Sequence, residues 1–318
     1  MKAVIIGGCG HIGTYLAPML VNAGYETVSI TRGRSKPYES DPAWAKVSKV
    51  TMDRSNEPNF PEKIVSMNPD IVVDLINFNI EDTKAIVKAL SGSNCSHYLY
   101  ASSCWAHGRA EILPFAPDDL AKDPICEYGK DKYASERYLK ECHRKDGFPA
   151  TTIMPGQISG PGWTIMNPWA NKTVVPFQKI ANGEEIKLPN FGMETLHHVH
   201  GYDVAQCFFK AIIHRNQSLG ETFDAVSGGA ITLYGYAKLM YAFFGKAPKI
   251  SFLPWPQWCE YVGDPKECED SYGHISRSGF FSTAKEEKLL DYHPKFTNVE
   301  AIKLAVQSYV DRGLIKIQ

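Results

Sequence analysis

A phenol, an ammonium and a hydroxyl at suitable spacing can move a proton, and one such set stands near the middle of this chain. Tyr128 and Lys132 are four residues apart, which on a helix puts both side chains on one face. A free phenol titrates at about 10, too high for ready proton exchange at neutral pH. A nearby ammonium favours the phenolate and can also bond a ribose hydroxyl. Ser103, twenty-five positions before Tyr128, follows the apolar run His97–Ser102, where a hydroxyl would polarise a substrate oxygen. Ser102 is the second choice, because it points to the opposite face if the strand continues.

A second group explains the first. Gly7-Gly8-Cys9-Gly10-His11-Ile12-Gly13 comes straight after the apolar run Ala3-Val4-Ile5-Ile6 and opens a helical pattern. Glycines at this spacing make a tight turn, let backbone approach a pyrophosphate and let the helix pack close to the sheet. The helix N-terminus adds unpaired N–H groups and a positive dipole end. Together the two groups predict hydride passing between a nicotinamide and a carbonyl or alcohol. The end of the second strand separates the two nicotinamide cofactors: a carboxylate there accepts from a ribose 2′-OH, an arginine suits a 2′-phosphate. The chain reads Val28-Ser29-Ile30-Thr31-Arg32-Gly33-Arg34, so NADP(H) is favoured and NAD(H) stays open; Arg32 and Arg34 can also be read as solvated loop charges. Asp53, after the third strand, is the candidate partner of the adenine amino group.

These groups need a frame that brings strand ends together. Apolar runs at Lys2–Ile6, Glu26–Thr31, Val47–Met52, Asp70–Ile76, His97–Ser102 and Pro149–Met154 alternate with helical patterns at His11–Ala23, Pro61–Met67, Glu81–Leu90 and Tyr128–Arg144. Strand alternating with helix predicts an α/β fold, a Rossmann-type doubly wound parallel sheet with right-handed crossovers. Beyond Pro155 proline, glycine and aromatic residues increase. Residues 156–200 and 232–292 read as excursions, whereas Tyr202–Arg215 and Glu221–Val226 read as a helix and strand returning to the sheet. The expected division is a cofactor domain over 1–155 plus about 201–231, and a smaller α/β substrate lobe over about 156–200 and 232–318.

With 34 basic and 35 acidic side chains in 318 residues the net charge is -1, so no global field recruits nucleic acid or an anionic membrane. Met1-Lys2 runs directly into a strand too short for a signal segment, and no run reaches the roughly 18 apolar residues of a membrane span. A cytoplasmic chain with a small-molecule substrate, and without nucleic-acid or membrane partners, is the expectation. Eight cysteines lie scattered without a CxxC pair and read as reduced, mostly buried thiols.

The chain resembles the extended short-chain dehydrogenase/reductase family, which includes nucleotide-sugar epimerases and dehydratases. The matches are the glycine turn, Asp53, Ser102-Ser103 followed by Gly108, Tyr128-Gly129 with Lys132 and Glu136, Pro155 leading to Gly160-Pro161-Gly162, and His200-Gly201-Tyr202-Asp203-Val204-Ala205. The resemblance implies Tyr128 as general acid/base, Lys132 as its pKa-lowering and ribose-binding partner and Ser103 as the carbonyl-polarising group. It also implies cofactor contacts from Gly7, Gly10, His11, Ile12, Gly13 and Pro155, and a homodimer built on the two helices after Asp70–Ile76 and around Tyr128.

The departures narrow the chemistry. Where sugar 4,6-dehydratases carry Thr-Asp-Glu this chain has Ser103-Cys104-Trp105, without the acids for water elimination. Met193–Val199 lacks the arginine that often meets a nucleotide diphosphate, and Gln157 stands where an asparagine is common. Arg277 is one remaining cation for a phosphate. Cys104, His107, Gln157, His198, His200 and Arg277 are the candidate substrate-pocket residues. In the expected strand His198 and His200 share one side, His197 and Val199 the other. The histidine cluster lacks the distributed ligands of a zinc site, so no metal is expected. Cys104 is read as a small buried thiol, with acid/base work as the alternative. Trp105, Trp163, Trp169, Trp255 and Trp258 fall in segments expected to roof the pocket. The favoured function is a dehydrogenase/reductase acting on a sugar-like small molecule; a UDP-glucose-like 4-epimerase is the alternative, and a non-catalytic RNA-binding relative a remote one.

Overall fold

The computed structural model describes residues 1–118 and 122–317. β1 (Lys2–Ile6), α1 (Gly13–Asn22), β2 (Glu26–Thr31), β3 (Ser48–Thr51), α2 (Phe60–Ser66), β4 (Ile71–Asp74), α3 (Ile80–Leu90), β5 (His97–Ala101), α4 (Glu127–Asp146) and β6 (Ala150–Pro155) follow in order. Then come β7 (Gln157–Ser159), α5 (Val175–Ala181), β8 (Ile186–Pro189), β9 (Thr195–Leu196), β10 (His198–His200), α6 (Gly201–Ile213), α7 (Arg215–Ser218) and β11 (Thr222–Ala225). β12 (Ile231–Thr232), α8 (Leu233–Phe243), β13 (Ile250–Leu253), α9 (Trp255–Val262), α10 (Pro265–Ile275), α11 (Ala284–Leu290) and α12 (Asn298–Asp311) complete the chain.

A seven-stranded sheet in the order β11-β6-β5-β4-β1-β2-β3 forms the frame, and its pairings are parallel. Parallel sheets are covered on both faces, which is why β1 reads as an unbroken apolar run. Its residues divide by the period of two: Ala3 and Ile5 join the core with Leu16, Leu20 and Phe208 of α1 and α6, while Val4 and Ile6 join Ile64, Ile86 and Leu139 of α2, α3 and α4. The strand order reverses between β1 and β4, where open sheets of this kind leave a crevice beyond the strand ends. The expected return to the sheet is made by α6 and β11, the latter pairing with β6.

A separate apolar cluster unites Phe177, Tyr236, Trp258 and Ile302 from α5, α8, α9 and α12. The stretch 232–292, expected as excursions, holds α8 to α11; aromatic residues on several faces blur the helical period there. Trp169, Trp255 and Trp258 pack against one another in this cluster and are not pocket-roofing. None of the helices among the described residues is long and apolar enough to cross a membrane.

Candidate functional site

The glycine turn is built by close approach. A Cβ on Gly8 would lie 2.3 Å from the Ser29 hydroxyl oxygen of β2, and one on Gly13 would lie 2.2 Å from the Gly8 carbonyl oxygen. The Gly7 amide donates to the Ile30 carbonyl at 2.8 Å, and Thr14 and Leu16 close the first turn of α1 onto Gly10 and Ile12. Among the described residues, the His11, Ile12 and Gly13 amides meet no backbone acceptor, the donor set an anion at a helix start requires. Helix α1 therefore begins at Gly13, two residues later than its sequence pattern suggests.

Two cavities open on either side of this turn. The first, about 310 Å³, is walled by Gly7, Gly10, Ile12, Ser103, Tyr128, Lys132 and Pro155, with His11, Ser102 and Trp163 beside them. The second, about 540 Å³, carries Arg32, Arg34, Asp53, Arg54 and Asp82. The two share Gly7, Gly10, Ile76, Phe78 and Trp163, so one elongated ligand fits both. Orphaned amides, a cradle that any Cβ would fill and a continuous groove suit a dinucleotide. Arg32 and Arg34 are exposed. Asp53 lines the second cavity, but its Oδ1 accepts from the Ser55 amide and its Oδ2 from the Asn56 side chain, so an adenine contact would compete with a local turn.

A buried ion pair that sequence reasoning missed stands at the wall of the second cavity, which Arg54 lines. Arg54 meets Asp74 through both guanidinium nitrogens, at 3.0 and 2.5 Å. Tyr98 and Asn77 donate to the same carboxylate. Asp74 is at the end of β4, and the apolar run before it hides a carboxylate made tolerable by Arg54 from the loop after β3, Asn77 just past β4 and Tyr98 of β5.

The proton-handling group lies in the first cavity. α4 begins at Glu127, so Tyr128 and Lys132 sit one turn apart on its first two turns. Lys132 is 1% exposed, and its Nζ donates to the Asn77 and Ala101 carbonyls at 2.5 and 2.6 Å. Burial lowers its pKa to about 7, against the opposing charge of Asp74. The ammonium lies 5.6 Å from the Tyr128 ring centre. Tyr128 is 40% exposed; loss of water around its hydroxyl pushes the phenol up to about 12, while a hydrogen bond with the Ser103 side chain and the Arg277 charge pull it down. Ser103 and Arg277 thus join Lys132 beside the phenol, and these two pull its pKa down. Ser103 caps the short 3-10 turn Cys104–Ala106 by accepting from the Trp105 amide. The Ser102 hydroxyl reaches the same cavity without a partner.

His11 is 3% exposed, neither ring nitrogen has a partner, and burial lowers its pKa to about 3. Its ring stacks on Trp163 at 4.8 Å and meets the edge of Tyr38 at 5.6 Å.

A third pocket, about 390 Å³, continues from Ser103 and Tyr128 past Trp105, Gln157, Lys172 and His274. Behind it a recess of about 20 Å³ is walled by Cys104, Gln157, His197, His274 and Arg277. Of the expected pocket residues, Cys104, Gln157 and Arg277 are here; burial raises the Cys104 thiol, which leaves it protonated. The other three are elsewhere. His107 packs between Phe115 and Phe281. His198 bonds the Ser159 hydroxyl and meets Tyr236 edge-on. His200 caps α6 through the Tyr202 amide and lies over Phe296. Just before β10, His197, not expected in the pocket, reaches the recess. His274 and Lys172, on irregular or late segments, carried no sequence signal.

A sequence model described as the NAD dependent epimerase/dehydratase family matches residues 3–225. The chain is 26% identical to the chloroplast stem-loop binding protein of 41 kDa b from Arabidopsis thaliana, over 99% of this chain and 81% of that one. It is 22% identical to a 3-beta-hydroxysteroid dehydrogenase from Mycolicibacterium neoaurum, over 98% and 92%. Its fold superposes on UDP-glucuronic acid 4-epimerase from Bacillus cereus, solved with UDP-glucuronic acid and NAD, with a TM-score of 0.75 at 15% identity, over 98% of this chain and 100% of that one.

Proposed function

The chain belongs to the NAD dependent epimerase/dehydratase family, and from that premise we propose that it transfers hydride at a secondary alcohol or ketone of a sugar-like small molecule, with Tyr128 as general acid and base. The observation that carries this reading is the wall of the first cavity, where Ser103, Tyr128 and Lys132 stand beside the glycine turn. A bound nicotinamide supplies or accepts the hydride. Tyr128 gives its proton to the carbonyl oxygen on reduction and takes it back on oxidation. Ser103, whose oxygen accepts from Trp105 and whose hydroxyl meets the Tyr128 phenol, can turn its proton to polarise that carbonyl. Lys132, with two of its three donors held by carbonyls, keeps the third for a ribose hydroxyl and supplies positive charge near the phenol. Residues 1–155 with about 201–231 hold the cofactor in this reading, and 156–200 with 232–318 the substrate.

The cofactor is NADP(H) in our reading, supported by Arg32 and Arg34 at the adenosine side and by the lack of a carboxylate at the end of β2. A reductase that exchanges its cofactor is preferred to a nucleotide-sugar 4-epimerase that keeps it. Extracting the purified protein for bound nucleotide, then following NADPH and NADH oxidation against a panel of keto sugars, separates them. Tightly held NAD without net oxidation would replace the reductase with the epimerase.

A stem-loop binding relative gives nucleic-acid binding one observation in its favour. Against it stand a net charge of -1 and the retained Tyr128 and Lys132. Titration with a stem-loop RNA at moderate salt decides: tight, steeply salt-dependent binding would overturn the ranking.

A further inference from the structure

Arg277 is a buried cation for which the described residues provide no counter-ion. It is 6% exposed, and both terminal guanidinium nitrogens lack a hydrogen-bond acceptor. It lies over the face of Trp105, with the guanidinium carbon 3.4 Å from the ring centre. The groups that favour its charge are the Cys104 and Cys126 thiols and the Tyr128 phenol, and no carboxylate is among them. A guanidinium taken out of water and left unpaired is strongly destabilising. Such an arrangement persists where a ligand completes it.

The surroundings specify that ligand. The recess beside Arg277 is also walled by His197 and His274, whose Nδ1 atoms are buried without partners. Burial holds both imidazoles neutral near pH 7, so each can turn a ring N–H toward an anion. The recess shares Gln157 and His274 with the pocket that carries Ser103 and Tyr128. Trp105 spans the distance: its ring lies 6.1 Å from that of Tyr128 and carries the guanidinium on its face. We propose that the recess takes a carboxylate of the substrate, which makes the substrate a compact hydroxy or keto acid of the sugar type. The planar fork of a guanidinium pairs with the two oxygens of a carboxylate. About 20 Å³ holds one or two atoms of water size, enough for those oxygens and too little for a phosphate or pyrophosphate. The remaining cation of the pocket, Lys172, is exposed on its outer wall, beyond the recess.

This inference rests on the hydride-transfer reading for its reacting carbon, and binding tests it apart from turnover. Calorimetric titration of the full chain with D-glucuronate and D-glycerate, beside the neutral D-glucose and glycerol, reads the charge preference directly. At least one acid is expected to bind ten-fold or more tightly than its neutral counterpart. Arg277→Met should erase that preference while leaving dinucleotide affinity unchanged, and Arg277→Lys should keep part of it. Equal binding of acids and neutral partners by the unaltered chain would overturn the inference whether or not any variant folds. So would a preference for D-glucose 6-phosphate or UDP over D-glucuronate, or an acid preference that survives Arg277→Met. An acid that binds as expected without being oxidised or reduced in the presence of cofactor would sink the hydride-transfer reading and leave the carboxylate site standing.

Discussion

The Lys132 ammonium lies 5.6 Å from the centre of the Tyr128 ring while two backbone carbonyls, those of Asn77 and Ala101, hold it in place. Helical spacing alone would leave a long lysine free to sample solvent; the carbonyls at the ends of β4 and β5 fix where its charge stands. Its pKa of about 7 places its titration inside the working range. Below that value the lysine carries charge, and above it the ligand-free chain loses this charge. Affinity for an anionic dinucleotide should therefore fall by up to about ten-fold as pH rises from 6 to 9. The same titration on Lys132→Met should be flat across that step; an equal fall in the variant would assign it to another group.

Removing the phenolic hydroxyl isolates proton transfer from binding. Tyr128→Phe leaves the glycine turn and Lys132 untouched, and should lower kcat by about 10²–10⁴-fold while the dinucleotide Kd stays within about three-fold. Stopped-flow hydride transfer together with equilibrium titration measures both. A near-normal rate would remove Tyr128 from the mechanism.

Cofactor choice should follow the charge at the end of β2. Arg32→Asp places a carboxylate where a ribose 2′-hydroxyl can donate to it, and repels a 2′-phosphate. The ratio of NADPH to NADH affinity should fall by about ten-fold or more. An unchanged ratio would make Arg32 a solvated loop charge, in keeping with its exposure.

Stability should carry a pH signature from beneath the sheet edge. Glu286 is fully buried, its Oε1 accepts from the Asp224 amide, and both Asp224 oxygens lack partners. Burial raises Glu286 to about 7 from 4.5, against the bond from the Asp224 amide, and burial with the Glu286 charge raises Asp224 well above its ordinary value. The nearby charges are Lys122 and Glu136, which pair with each other, and Lys285, held by Asp118 and Glu221. A folded-state pKa above the unfolded one means that the stabilisation is complete below about 4.5 and is lost as pH rises through about 7. Glu286→Gln should flatten the decline in Tm between pH 5 and 8, a difference of about 3 kcal/mol at most. A decline of unchanged slope would show that Asp224 alone carries it.

Local patterns carried the parts of the site that are local. A glycine turn on a strand end and a tyrosine and lysine one helical turn apart are each specified within seven residues, so their placement could be read from the chain. The Arg54–Asp74 pair joins residues twenty positions apart, one just past β3 and one at the end of β4, strands that β1 and β2 separate in the sheet; no local pattern distinguishes Asp74 from the apolar run it ends. The histidines show the same limit from the other side. A period of two says that His197 and His198 point opposite ways, yet which face meets the pocket depends on how β10 pairs with β7, and that partner is forty residues upstream.

Trp163 is a wall of three openings, the two halves of the dinucleotide groove and the pocket beyond Tyr128. A ring common to all three cannot adjust to one occupant without redrawing the others. The consequence is that the indole, held in a stack on His11 at 4.8 Å, couples the outline of the pocket beyond Tyr128 to that of the groove.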